Sequence, residues 1–218
     1  MKFNMNVVIF DVETTGLDPQ TDVIIQFSAC DLDGNELFNS YIRPTQKHFS
    51  GELLQHWIDA AKINNLHPFS REITSAPIFT DIEPAIQKLF DEADMLIAYN
   101  GQFDIKFLAA SGIQFKEKTP YYDVMLAYAE YNGEWSNEKQ SYKWKRLGEC
   151  AAHFGYNFKA HDSMEDVRAT AVCCKKLLAE GIQVDKNRQP LSCIKEVYPD
   201  PFTKEIDDDL EFGEDLER

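Results

Sequence analysis

Two carboxylates stand two residues apart in Asp11-Val12-Glu13, at the end of the apolar run Val7-Val8-Ile9-Phe10. Such a run reads as a buried strand, and residues two apart on a strand project from the same face. Two like charges side by side at the edge of an apolar core repel each other and lose hydration unless a cation joins them. Thr14-Thr15-Gly16 follows at once and sets two hydroxyls and turn amides beside that charge. The arrangement suits a divalent cation that handles a phosphate or a sugar hydroxyl. Alone it is weak, because many strands end in a solvated acid.

Two further segments place the same kind of residue at the same kind of position. In Asn100-Gly101-Gln102-Phe103-Asp104, Asp104 falls in the first turn of a helix that follows the short run Met95-Leu96-Ile97-Ala98-Tyr99. An acid there complements the helix dipole, and Asn-Gly makes the turn, so a purely structural explanation exists. The functional one is that Asp104 faces the same cation as Asp11 from a neighbouring strand end, where ligands gather in open α/β sheets. The third segment is His161-Asp162-Ser163-Met164-Glu165-Asp166. Ser163 and Asp166 fit a capping box, which explains Asp166 but leaves His161 over. With a helix start near Ser163, His161 sits on the preceding loop, free to turn back towards Asp166, where it is a candidate base. Each segment has its own bland explanation. The order Asp, Glu, Asp, His, Asp, each at a strand end or helix start, is not covered by all of them at once.

The elements that must position these residues are legible from periodicity. Residues 5–12 and 23–29 read as strands, Asp33-Gly34-Asn35 as a hairpin turn, and Leu37 to Ile42 as a third strand, giving an antiparallel meander. Helical spacing follows in Leu53, Leu54, Trp57 and Ile58, then in Ile82, Ile86, Leu89 and Phe90 after a cap region at Thr80-Asp81. Tyr121-Tyr122 reads as a last short strand, a helix starts near Asp123, and residues 131–142 read as a loop. Leu147 to Phe154 and Val167 to Leu178 read as helices stopped by Gly155 and Gly181. The result is an α/β domain with a mixed five-stranded sheet, a meander followed by parallel strands, flanked by helices.

The net charge of −15 excludes a duplex binder working by broad phosphate neutralisation, but not nucleic acid as a substrate of a carboxylate–metal site. Ten of the acids lie in residues 195–218 against Lys195, Lys204 and Arg218. Residues 1–185 are expected to form the domain and 186–218 a partly disordered acidic extension. Cys30, Cys150, Cys173, Cys174 and Cys193 show neither CxxC nor zinc-ligand spacing and read as reduced thiols of a cytoplasmic protein. No apolar run is long enough for a membrane span, and Met1 to Asn6 is too polar for a signal peptide.

Asp11-x-Glu13-Thr14-Thr15-Gly16, Asn100-x-x-Phe103-Asp104 and His161-x-x-x-x-Asp166 together resemble the three motifs of the DEDD-superfamily 3′–5′ exonucleases, histidine subtype. The pattern is most similar to the proofreading (epsilon) exonucleases of bacterial DNA polymerase III, over roughly residues 5–181. The resemblance implies an RNase H-like fold and two Mg²⁺ ions, with Mn²⁺ as a substitute. Asp11 would bridge the ions, and Glu13, Asp104 and Asp166 would complete the ligand set. It further implies His161 as general base, with Thr14, Thr15 and Gly16 holding the terminal nucleotide. Leu17 and Phe103 would stack on or wedge the last base, against core packing as the bland alternative, and Asn100 would contact the substrate backbone or brace its loop. The expected substrate is a single-stranded 3′ end, DNA favoured over RNA, and the expected partner a DNA polymerase subunit. An exoribonuclease and a non-catalytic nucleic-acid or polymerase-binding module are the alternatives. Finally, Lys139 to Arg146 interleaves bases with aromatics: either a positive rim for single strands, or a solvated helix start with Trp144 packed inward.

Overall fold

Alternation along the first strand decides which side of the sheet carries the acids. In the computed structural model, which describes residues 5–64, 66–116, 118–182 and 188–190, the meander comprises β1 (Val7–Thr14), β2 (Ile24–Cys30) and β3 (Glu36–Tyr41). A 3₁₀ turn at Gln46–Phe49 leads to α1 (Gly51–Ile63), α2 (Arg71–Thr74) and α3 (Phe79–Glu92). Then come β4 (Met95–Ala98), α4 (Gly101–Ala110), β5 (Pro120–Asp123) and α5 (Val124–Asn132). The short strands β6 (Trp135–Ser136) and β7 (Ser141–Tyr142) precede α6 (Leu147–His153), α7 (Ser163–Ala179) and β8 (Arg188–Pro190).

The main sheet runs β3-β2-β1-β4-β5-β8. β1 is central, antiparallel to β2 and parallel to β4, and β4 is parallel to β5. The five expected strands are present as a meander followed by parallel strands. A sixth, β8, pairs antiparallel with β5 and lies within the segment assigned to the extension. The remainder of that extension from residue 191, Cys193 included, lies outside the described residues.

Val8, Phe10 and Val12 of β1 join Ile86 and Phe90 of α3 and Ile105, Phe107 and Leu108 of α4 in one apolar layer. Ile9, one residue out of phase, belongs to the opposite layer with Val124 of α5, Cys150 of α6, and Val167, Ala171 and Cys174 of α7. By the same alternation Asp11 and Glu13 fall on the α7 side of the sheet. Trp57, Ala61 and Ile73 cover Ile25 of β2 in a third, smaller cluster.

Three local readings are corrected. Residues 131–142 are not a loop: they contain the end of α5 and the β6–β7 hairpin, in which Trp135 lies opposite Tyr142 with rings 5.1 Å apart. Strands of two residues are too short for period-2 patterning to register among polar neighbours. The cap of α3 is displaced to Ile78, whose amide donates to the Asp81 carboxylate at 3.3 Å. The cap of α7 is Asp162 rather than Ser163. The turn glycines do end their elements in the left-handed region, Gly155 at φ 76° and Gly181 at 81°.

Phe90 packs edge-on against Phe10 at 5.2 Å and Phe27 at 5.9 Å, and against Phe115 at 5.2 Å, so it ties α3 to β1 and β2. Phe90→Ala is expected to cost about 3–5 kcal/mol of unfolding free energy in urea titration. A loss under about 1 kcal/mol would show that the layer closes over the gap.

Candidate active site

The end of β1 is shaped by a bulge. Glu13 pairs with Gln26 but Thr14 with Ile24, so the β1–β2 register slips where the chain turns away. Beyond the slip, Thr15 is fully buried: its hydroxyl accepts the Val23 amide at 3.0 Å and donates to Asp22 at 3.2 Å. Asp22 also accepts the Asp18 amide at 3.0 Å and packs so close to Gly16 that any Cβ there would collide with its carboxylate. Thr14 is buried and donates its hydroxyl to the Gly16 carbonyl. Both threonine hydroxyls are thus used inside the turn. Leu17 is 61% exposed, which removes core packing as its explanation.

The second segment is held by an acid that sequence reading passed over as a helix start. Asn100 has φ 59° and ψ 39°, and its amide and that of Gly101 each donate to Asp123 at 3.2 Å. The same carboxylate accepts the Tyr121 hydroxyl at 2.8 Å and the Met125 amide at 2.9 Å. A Cβ on Gly101 would lie 2.5 Å from both Ala98 Cβ and the Tyr121 hydroxyl, so only glycine fits. The signal was present: an acid at the buried end of the Tyr121-Tyr122-Asp123 strand has to be compensated by donors. The turn delivers Asp104 into the first turn of α4, buried, with Oδ1 accepting the Val12 amide at 2.9 Å. Phe103 is partly buried against the α3–α4 layer and stacks obliquely on Phe107 at 4.9 Å.

The third segment enters α7 from His161, which has φ 64°. Asp162 accepts the Met164 amide at 3.2 Å, and its own amide donates to Asp166 at 3.1 Å. Ser163 is buried with its hydroxyl against that of Ser28, and Gln26 donates to Asp162 at 3.4 Å. These contacts pin the N-terminus of α7 to β2. Gln26 and Ser28 carry no sequence signal of their own, since polar residues on a strand usually face solvent.

The outcome is a trio. One oxygen each from Asp11, Glu13 and Asp166 lies within 4.8 Å of the others. Asp104 and His161 are not part of that trio; Asp104 comes from α4, which packs on the opposite face of the sheet. Asp11 Oδ2 is buried and has no hydrogen-bond partner. Burial drives the Asp11 pKa well above the usual carboxylate range, and Asp104, Asp166 and Glu13 push it the same way. Burial and then Asp166 raise Glu13 to about 8. Asp104 stands at about 8, raised by burial against the pull of the Val12 amide. Asp166 stands at about 7, raised by burial against the pull of the Asp162 and His161 amides. Four acids this destabilised as anions, with an orphaned oxygen among them, fit a divalent cation. His161, exposed at one edge, is shifted below the ordinary histidine value by partial desolvation and by Arg146.

The sequence of residues 8–173 matches a family model, RNase_T, described as an exonuclease. The chain belongs to the RNase T exonuclease family. Its described unit is a 3′–5′ exonuclease domain of the DEDD type. A PolC-type DNA polymerase III of Bacillus subtilis is 25% identical over 181 residues, covering 81% of this chain and 12% of that protein. The Thermotoga maritima PolC-type enzyme is 27% identical over 175 residues, covering 75% of this chain and 11% of that one. The chain therefore spans 6–12% of the length of the curated relatives it matches. Among solved structures, a zinc-bound complex of Escherichia coli exonuclease I with single-stranded DNA superposes with a TM-score of 0.63 at 20% identity, covering 83% of this chain and 42% of that one. Exonuclease X in complex with 5′ overhanging duplex DNA gives 0.57 at 16% identity, covering 83% of this chain and 96% of that one. These likenesses establish the RNase H-like fold of the exonuclease domain.

The raised carboxylates make a stability prediction. Between the ordinary carboxylate pKa near 4 and the folded values of about 7 to 8, the folded metal-free domain holds more protons than the unfolded chain. Its stability therefore falls as pH rises through that window, and a bound cation offsets the fall. Mg²⁺ at a hundredfold excess over its pH 8 Kd is expected to raise Tm by roughly 5–10 °C at pH 8, and the same concentration by far less at pH 5. Equal shifts at both pH values, or none at pH 8, would contradict a cation held by these acids.

Proposed function

We propose that this chain is a metal-dependent exonuclease that removes nucleoside 5′-monophosphates from the 3′ end of single-stranded DNA. The observation that carries the reading is the buried Asp11 carboxylate, one oxygen unpartnered, grouped with Glu13 and Asp166. Asp11, Glu13 and Asp166 would hold divalent cations directly. Asp104, whose charge bears on Asp11, would complete the ligand set. We assign two Mg²⁺, for which Mn²⁺ substitutes. When bound, such ions neutralise developing phosphate charge and lower the pKa of water.

The remaining steps belong to the side chains. His161 is the general base: a pKa below the ordinary value keeps its ring neutral and able to accept a proton at neutral pH. It takes the proton of the attacking water as the water oxygen bonds to phosphorus. The bond from phosphorus to the 3′ oxygen of the preceding nucleotide breaks, and that oxygen takes a proton from solvent water, leaving a 3′-hydroxyl and a released 5′-monophosphate. The Thr14–Gly16 turn holds the terminal nucleotide through its backbone, since the threonine hydroxyls are committed internally. Exposed Leu17 and half-buried Phe103 border the last base, and Asn100, with its amide fixed on Asp123, offers its side chain to the substrate backbone. DNA is preferred to RNA in this reading on the strength of the PolC-type relatives and the exonuclease I complex with single-stranded DNA. A DNA polymerase subunit is the partner it implies. A cytoplasmic location accords with the free, buried thiols of Cys30, Cys150, Cys173 and Cys174, and none of the described helices is long and apolar enough to cross a membrane.

In a gel assay with 5′-labelled DNA and RNA of one sequence, wild-type protein with Mg²⁺ is expected to shorten the DNA from its 3′ end. EDTA or Asp11→Ala should leave it intact. A faster RNA ladder would reassign the substrate, and no ladder from folded, Mg²⁺-binding protein would favour a non-catalytic binding module. His161→Ala should lower kcat by about 10²–10⁴-fold while keeping the Mg²⁺-dependent rise in Tm. Full turnover by that variant at neutral pH would remove His161 as the base.

A further inference from the structure

The β6–β7 hairpin separates its side chains by chemistry. Trp135 and Tyr142 face each other across the two strands, and Trp144 lies two residues beyond Tyr142 on the same side of the extended chain. These three are 47%, 39% and 55% exposed. On the other side, Glu134 takes both Lys143 and Lys145 at 2.7 Å, and the Lys143 amide donates to the Glu134 carbonyl at 2.8 Å. The paired lysines hold Glu134 at about 2, fully ionised. Trp144 is exposed rather than packed inward, and of the basic residues expected at a rim, Lys143 and Lys145 are paired with Glu134. What remains open is an aromatic face.

We infer that this face is a stacking platform for the single-stranded nucleic acid that leads away from the 3′-terminal nucleotide; the inference rests on the exonuclease reading above. Three observations support that occupant. The segment adjoins the turn that carries Asn100: the Tyr99 hydroxyl, next to Asn100, donates to the Lys145 carbonyl at 2.7 Å. Residues 134–146 carry four basic against two acidic side chains in a chain of net charge −15, a local reversal of sign that accepts a phosphate backbone. Exposed Trp and Tyr side by side offer base-sized flat surfaces, and stacking on them is independent of sequence and of the protein's overall charge. An acidic nuclease gains little from long-range attraction, so contacts of this kind carry its grip on a strand.

The test compares a trinucleotide with an oligodeoxythymidylate of about twenty nucleotides as substrates with Mg²⁺, long enough to reach the hairpin. Trp144→Ala should raise KM for the long strand roughly tenfold, with kcat and all trinucleotide kinetics within about twofold. Trp144→Phe should restore most of the loss, and Trp135→Ala should act in the same direction. Thermal melting checks that each variant folds. Binding of the fluorescent long strand is also measured in an Asp11→Ala background, so that the platform is tested whether or not the chain hydrolyses DNA. Absence of turnover with Trp144-dependent binding would sink the exonuclease reading and leave the platform standing. Unchanged KM and unchanged binding in both Ala variants would overturn the platform. So would an equal loss on long and short substrates, which would make the hairpin a brace of the site.

Discussion

Mutual repulsion among buried carboxylates is the constraint around which this molecule is built. Asp11, Glu13 and Asp166 crowd within a few ångströms, Asp104 adds to their field, and burial destabilises every one of them as an anion. A fold left to relax would splay them apart. Here they are fixed by backbone: Asp11 and Glu13 by the central strand and its pairing with β2, Asp104 by a first helical turn, Asp166 by a long helix lying across β1 and β2. The free energy comes from the apolar layers on both faces of the sheet, each many residues deep.

A second set of polar residues converts that general packing into aim. Asp123 gathers the amides of the Asn100 turn, Asp22 closes the turn after β1, and Gln26, Ser28 and Asp162 moor the start of α7. Each is buried or half-buried, and the carboxylates of Asp22, Asp123 and Asp162 each accept from amide or hydroxyl donors. The contrast is physical: a carboxylate with several donors tolerates burial, whereas one facing like charges with a bare oxygen is favoured by a proton or a cation.

Much of this was legible in the sequence because it is written in local periodicity. The two-residue spacing of Asp11 and Glu13, the apolar runs before them and before Asn100, and the helical spacing after Asp166 fix both the element types and the acids' places at element ends. What stayed hidden depends on contacts between distant segments. Nothing near Gln26 or Ser28 announces that α7 will dock there, more than 130 positions later. Ser163 looked like a cap because its type fits. Tertiary contact with Ser28 recruited its hydroxyl, and the cap role passed to Asp162. The hairpin at Trp135–Tyr142 escaped for a different reason: two-residue strands leave no pattern, and the pairing depends on one ring contact and one shared glutamate.

The trio draws Asp11 and Glu13 from the first strand and Asp166 from the last long helix. During synthesis the ribosome therefore releases the first two acids long before the third exists. A partly made or truncated chain lacking α7 has neither the third acid nor the helix that covers Ile9 and its neighbours. Assembly of the trio is thus coupled to completion of the fold.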